Sequence, residues 1–210
     1  MRRRRRPKPE PEPELPLPDD HRRDGPWDVT ERPEDESQEE ERADFGTLSL
    51  RPPPGAELRL QVDEESGAVV ALLVATQEGA IDLRLFAAPR NEDTWPEMVD
   101  GIVAEAKQHG GTAEEADGPF GTVVRVSVPV VDQDGRAATQ PSVIHGIPGP
   151  RWLLRATLFG RPADAYDPEG DLETALRSVV VDRGSEPMVP GELLPLELPP
   201  GAAPIEQPGQ

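Results

Sequence analysis

The chain has 210 residues, of which 30% are charged and 35% hydrophobic, with a net charge of −19 and no cysteine. That length holds one domain or at most two small ones. The absence of cysteine removes disulfides, thiolate metal sites and cysteine nucleophiles together, and so acidic a body repels phosphate backbones, which argues against nucleic-acid binding through it.

The longest strongly apolar run, Ala68 to Ala75, falls far short of the roughly 18 residues that suggest a membrane span. Arginines follow Met1, but Pro-Glu repeats come next where a signal peptide has its apolar stretch, so the expectation is a cytoplasmic protein.

Proline marks the ends of the folded part. Of 27 prolines, eight lie in residues 1–42 and seven in 187–210. Residues 1–42 read as a disordered N-terminal tail, because Pro7 to Glu14 favours extended polyproline-like backbone and Glu31 to Arg42 is mostly acidic. Trp27 is one large aromatic stranded there, expected to dock back onto the domain. Residues 43–186 read as a single domain, and 187–210 as a proline-rich C-terminal tail. Leu193, Leu194, Leu196 and Leu198 would lie partly docked on its surface.

Within the domain, Leu58, Leu60 and Val62 alternate with polar residues, the period-two signature of a half-buried strand. Ala68 to Thr76 is a continuous apolar run, expected to be a central strand buried on both faces. Ile81, Leu83 and Leu85 alternate again, completing a meander. Thr94-Trp95-Pro96-Glu97 has the form of a capping box with proline in the first turn. The stripe Trp95, Met98, Val99, Ile102, Val103 and Ala106 predicts a helix that Gly110-Gly111 would end. Gly101 inside it suggests close packing against the sheet.

Thr112 to Asp117 predicts a short polar edge strand, and Gly118-Pro119-Phe120-Gly121 a turn. Val124, Val126, Val128 and Val130 share one face of a long strand, with a hairpin signal at Asp132 to Gly135. Ser142 to Ile147 and Trp152 to Phe159 are two further strands, and a second helix from near Asp167-Pro168 would bury Leu172, Ala175 and Leu176. The sum is an α+β fold, a mostly antiparallel sheet of six to eight strands with two covering helices. At the level of the fold alone it is similar to Mog1/PsbP-like sandwiches.

The chemistry-bearing residues are sparse. His109 at a helix end suits the helix dipole, His145 reads as a structural strand residue, and His21 lies in the tail. Glu114, Glu115 and Asp117, and the pair Asp132 and Asp134, read as solvated edges. The second pair opens like a calcium loop, but Val143 stands where the bidentate glutamate belongs. Neither phosphate-cradling glycine spacing nor a Gly-x-Ser-x-Gly elbow occurs. No catalytic, cofactor-binding or metal-ligating residue is therefore singled out, and no cofactor is implied. Arg2 to Arg6 with Lys8 form a cationic arm, while Arg151 and Arg155 point to one face of their strand and Trp152 to the core.

Gly25-Pro26-Trp27-Asp28, Gly55 to Val62, Phe86 to Arg90, Gly118-Pro119-Phe120-Gly121, Gly149-Pro150-Arg151-Trp152 and Glu186-Pro187-Met188 with Leu193 to Leu196 occur in that order. In these segments the chain resembles an actinobacterial family of domains of unknown function, often encoded near dUTPase and a small OB-fold protein. The resemblance implies no established activity. The favoured reading is a non-enzymatic cytoplasmic interaction module with an unknown protein partner. The alternatives are an enzyme or small-ligand binder built from scattered carboxylates and arginines, and a nucleic-acid accessory factor acting through the arginine arm.

Overall fold

The computed structural model describes residues 22–32, 42–90, 92–131 and 135–198. His21, Asp132, Asp134 and the arginine arm lie outside them. The chain forms two sheets. The larger has seven antiparallel strands in the order β4 (Glu57–Val62), β5 (Val69–Ala75), β6 (Gly79–Ala87), β10 (Trp152–Gly160), β9 (Ala137–Gly149), β8 (Gly121–Val131) and β7 (Thr112–Gly118). The smaller has β1 (Trp27–Asp28), β11 (Val180–Val181), β3 (Leu48–Leu50) and β2 (Ala43–Asp44), of which only β1 and β11 run parallel. The α+β architecture is as the sequence predicts.

Alternation along the strands sends adjacent residues into two cores. On one face, Trp152, Leu154, Ala156 and Leu158 join Leu48, Leu50 and Val181 of the small sheet and Leu172 and Leu176 of α3 (Asp171–Arg177). On the other, Leu153, Val124, Val126 and Ile144 meet Trp95, Val99, Ile102 and Ala106 of α1 (Trp95–Gln108). The large sheet is thus a middle layer, with α1 outside it on one side and α3 with the small sheet on the other.

Several local expectations are corrected. The strand buried on both faces is not β5, which lies second from the sheet edge with Leu73 half-buried. It is the Ser142 to Ile147 stretch of β9, because α1 covers the β7–β10 half of its face and leaves the β4–β6 half open. The capping box does not form. Thr94 is at the N-cap without a side-chain cap, and Asp93 Oδ1 accepts the Trp95 N–H at 2.9 Å instead. At the other end Gly110, at φ 72°, and Gly111 return their N–H groups to the carbonyls of Lys107 and Ala106, a Schellman motif.

The second helix starts at Asp171, and a short α2 (Arg161–Asp164) precedes it. Arg161 clasps the fully buried Glu173 through two hydrogen bonds of 3.1 and 2.8 Å, and this pins the connection between the two helices.

Gly101 is exposed, and nothing lies within 4 Å of the place its Cβ would take, so close packing does not explain it. Helix propensity then acts alone. Gly101→Ala should stabilise the domain by about 1 kcal/mol, read as a higher urea midpoint; an unchanged or lower midpoint contradicts the open surroundings.

The ends of the described chain are paired. Trp27 docks back onto the body, with β1 running beside β11 in the register Trp27 to Val180, so residues 22–32 of the N-terminal segment form a strap on the small sheet. Near the C-terminus Leu193 bridges to Phe86 and Leu196 to Val69, and Leu194 and Leu196 are buried.

Candidate functional site

Three of the motif segments and the first turn of α1 meet at one corner of the large sheet. The β9–β10 hairpin turns at Pro150-Arg151, with Arg151 at φ 62°. Trp152 follows it into the core and is fully buried. Its indole lies against Gly149, where any Cβ would overlap the ring. Its Nε1–H donates to Asp28 Oδ2 at 2.9 Å. Asp28 Oδ1 in turn accepts the Thr30 hydroxyl at 2.6 Å and its N–H at 3.0 Å. Arg22 closes the corner: its guanidinium lies 5.3 Å over the Trp152 ring, donates to Pro26 O at 3.0 Å, and pairs with Glu31 at 2.9 Å. The Gly25 to Asp28 and Gly149 to Trp152 motifs are therefore two halves of one joint.

The Phe86 to Arg90 and Glu186 to Met188 segments support this joint from behind. Ala88 N–H donates to Arg151 O at 3.0 Å, Arg183 Nε–H donates to the same oxygen at 3.2 Å, and Arg183 Nη1 to Glu186 O at 2.9 Å. The remaining segment, Gly55 to Val62, ends in edge strand β4 and lends no side chain to the corner.

Beside the joint opens a cleft of about 400 Å³. Its floor is Gly146 and Pro148 of β9, with the Trp95 ring seated where a Cβ on Gly146 would be. Trp95 is held by its own indole N–H, which donates to Thr122 O at 2.8 Å. Phe120 and Gly121 of the β7–β8 turn form the far wall, and Arg22 the near one. Three carboxylates reach it: Asp93 before α1, Asp100 on its second turn, and Glu115 from β7. Asp93 is engaged as the helix cap and Arg22 by Glu31, whereas the side-chain carboxylates of Asp100 and Glu115 make no hydrogen bond or ion pair among the described residues. The cleft thus offers an aromatic wall beside two uncommitted negative charges, which is the chemistry of cation recognition.

Of the carboxylates considered from the sequence that lie among the described residues, only Glu115 enters this cleft. Glu114 lines a shallower groove on the opposite face of β7, beside Arg125. His109 Nδ1–H donates to Glu105 O at 2.9 Å, a helix-end contact. His145 points to the face of β9 away from Gly146. It is buried between Phe120 at 5.8 Å and Tyr166 at 6.1 Å, with no hydrogen-bond partner for Nδ1 among the described residues. Burial, with a smaller push from Arg125, lowers its pKa to about 4, so it is a neutral core residue. Among the described residues no group of three His, Asp or Glu side chains is arranged to hold a metal ion. Among the described residues no helix is long and apolar enough to cross a membrane.

The sequence reading missed Arg22, Asp93 and Asp100. Each sits on a different element from Glu115, and only the packing of α1 on β7 and of the strap on β11 brings them together.

A family model described as "Protein of unknown function (DUF3710)" matches residues 25–204, from the first glycine of the strap to beyond the docked leucines. The chain belongs to that family. The matched span contains the whole joint and every cleft residue except Arg22. No curated protein matches the chain.

Proposed function

We propose that this member of the family is a non-enzymatic interaction module of the cytoplasm, and that its corner cleft receives a lysine- or arginine-bearing segment of a partner protein. The observation that carries this reading is the unequal commitment of the charges. The cleft's arginine is already satisfied by Glu31, while Asp100 and Glu115 face the cavity beside Trp95 without partners among the described residues. A cation placed there gains two carboxylates and an aromatic face. The net charge of −19 draws basic partners toward the chain and repels nucleic acid, so the body itself adds no phosphate binding.

The test is fluorescence anisotropy of labelled hexalysine with the full chain, compared with the double variant Asp100→Asn/Glu115→Gln. Glu64→Gln/Glu65→Gln, which removes the same charge from an exposed turn, is the control. Two ion pairs of about 0.5–1 kcal/mol each predict a five- to thirty-fold loss of affinity in the cleft variant. Equal losses in the two variants would show a diffuse acidic surface and no site.

A further inference from the structure

The second half of α1 covers a different cavity, and the geometry points to an anion site there: we propose that the groove over Arg155 binds a short aliphatic monocarboxylate. It is separate from the corner cleft and independent of the reading given to it.

The groove has a volume of about 200 Å³. Ile102, Ala106 and His109 of α1 recur at helical spacing along one edge. Val126 and Ile144 of the sheet form the apolar side, and Arg155 and Thr157 of β10 supply the polar groups. Arg155 is the anomaly. Its guanidinium lies 5.6 Å over the Phe86 ring, its Nε is buried without an acceptor, and it makes no ion pair among the described residues.

The surroundings sharpen the deficit. Directly across the strand pair stands another cation, Arg84, and like charges so placed repel. Asp82 and Gln61 are spent on Arg84, at 3.0 and 2.7 Å, and Glu105 at the groove rim makes no ion pair with Arg155. Burial first, and Arg84 second, lower the pKa of Arg155, against a smaller opposing pull from Asp82 and Glu105, yet a guanidinium stays charged. A partly desolvated cation left unpaired is costly, and a bound anion relieves that cost.

The lining selects among anions. Drug-sized ligands occupy pockets of ~300–1,000 Å³, so the occupant is smaller. Apolar walls beside one guanidinium and one hydroxyl suit a carboxylate carrying a few methylenes. The surplus negative charge of the domain, with Glu105 at the rim, penalises a dianion such as phosphate.

Thermal melts of the full chain in sodium butyrate, sodium phosphate and sodium chloride at matched ionic strength test this. Butyrate should raise the melting temperature saturably, and chloride and phosphate should not. Arg155→Gln should weaken butyrate binding about ten- to a hundred-fold, the loss expected for charge-assisted hydrogen bonds. Glu105→Gln, at an exposed position on the groove rim, should tighten it. A saturable butyrate effect of equal size in Arg155→Gln overturns the site. So does no butyrate effect beyond that of chloride, or weaker binding in Glu105→Gln. Phosphate binding more tightly than butyrate overturns the carboxylate assignment.

Discussion

Trp152→Ala is expected to cost about 3–5 kcal/mol of stability, the range for emptying a large buried aromatic site. Two effects add. The fully buried indole fills the space that Gly149 leaves open, so its removal creates a cavity that the rigid β9–β10 hairpin cannot close. The substitution also deprives Asp28, only 7% exposed, of its indole donor and loosens the strap. Trp152→Phe weights the two contributions differently, since it keeps most of the volume and loses the whole hydrogen bond, which alone costs about 1–3 kcal/mol. Urea unfolding reads the stability, and limited proteolysis at Arg22 and Arg23 reads the strap. Both substitutions should hasten that cleavage. If Trp152→Ala unfolds at the wild-type midpoint, the joint does not hold the corner together.

Acid should destabilise the domain through His145. Its folded pKa is about 4 against an ordinary value of 6.5, so the unfolded chain takes up the proton first as pH falls. A depressed folded pKa means that the full stability is present above pH 6.5 and is lost progressively down to about pH 4. The shift corresponds to about 3 kcal/mol. His145→Phe keeps a ring beside Phe120 and Tyr166 and removes the titration. Urea midpoints across this window should therefore fall more steeply for the wild type than for His145→Phe, the carboxylates being common to both. Parallel pH profiles would mean that His145 is not held neutral by its burial.

What could be read in the sequence was what is local. The α1 stripe from Trp95 to Ala106, its Gly110-Gly111 stop, the alternation of Leu58 to Val62 and the Pro119-Phe120 turn each need only neighbouring residues, and each appears in the structure. The edge position of β7 was legible for the same reason, because a strand as polar as Thr112 to Gly118 has little to bury. The errors concern features set by tertiary packing. Ala68 to Ala75 looked central because it is apolar, but where α1 lands decides which strand is covered twice. Thr94 matched a capping pattern, yet Asp93 took the Trp95 N–H.

Candidate sites were the least legible part. The cleft joins Asp100, Glu115 and Arg22 from three elements far apart in sequence. Arg155 was placed correctly on the face opposite Trp152, but its missing partner became visible only once Asp82 and Gln61 were seen on Arg84. The Gly25 to Asp28 and Gly149 to Trp152 motifs were legible as motifs, while their purpose, a tryptophan bound to an aspartate across 124 residues, was not.

The central claim, that the corner cleft is where this chain recognises a cationic segment, is tested most directly by amide and indole chemical shifts during a hexalysine titration. The Trp95 indole N–H, bonded to Thr122 O, is a reporter inside the cleft, and the fully buried Trp152 indole is an internal reference. The predicted result is saturable shifts at the Trp95 indole and at the amides of Gly121, Thr122 and Gly146, with little change at the acidic Asp63 to Ser66 turn. Shifts spread evenly over the acidic surface, with the Trp95 indole unmoved, would contradict it.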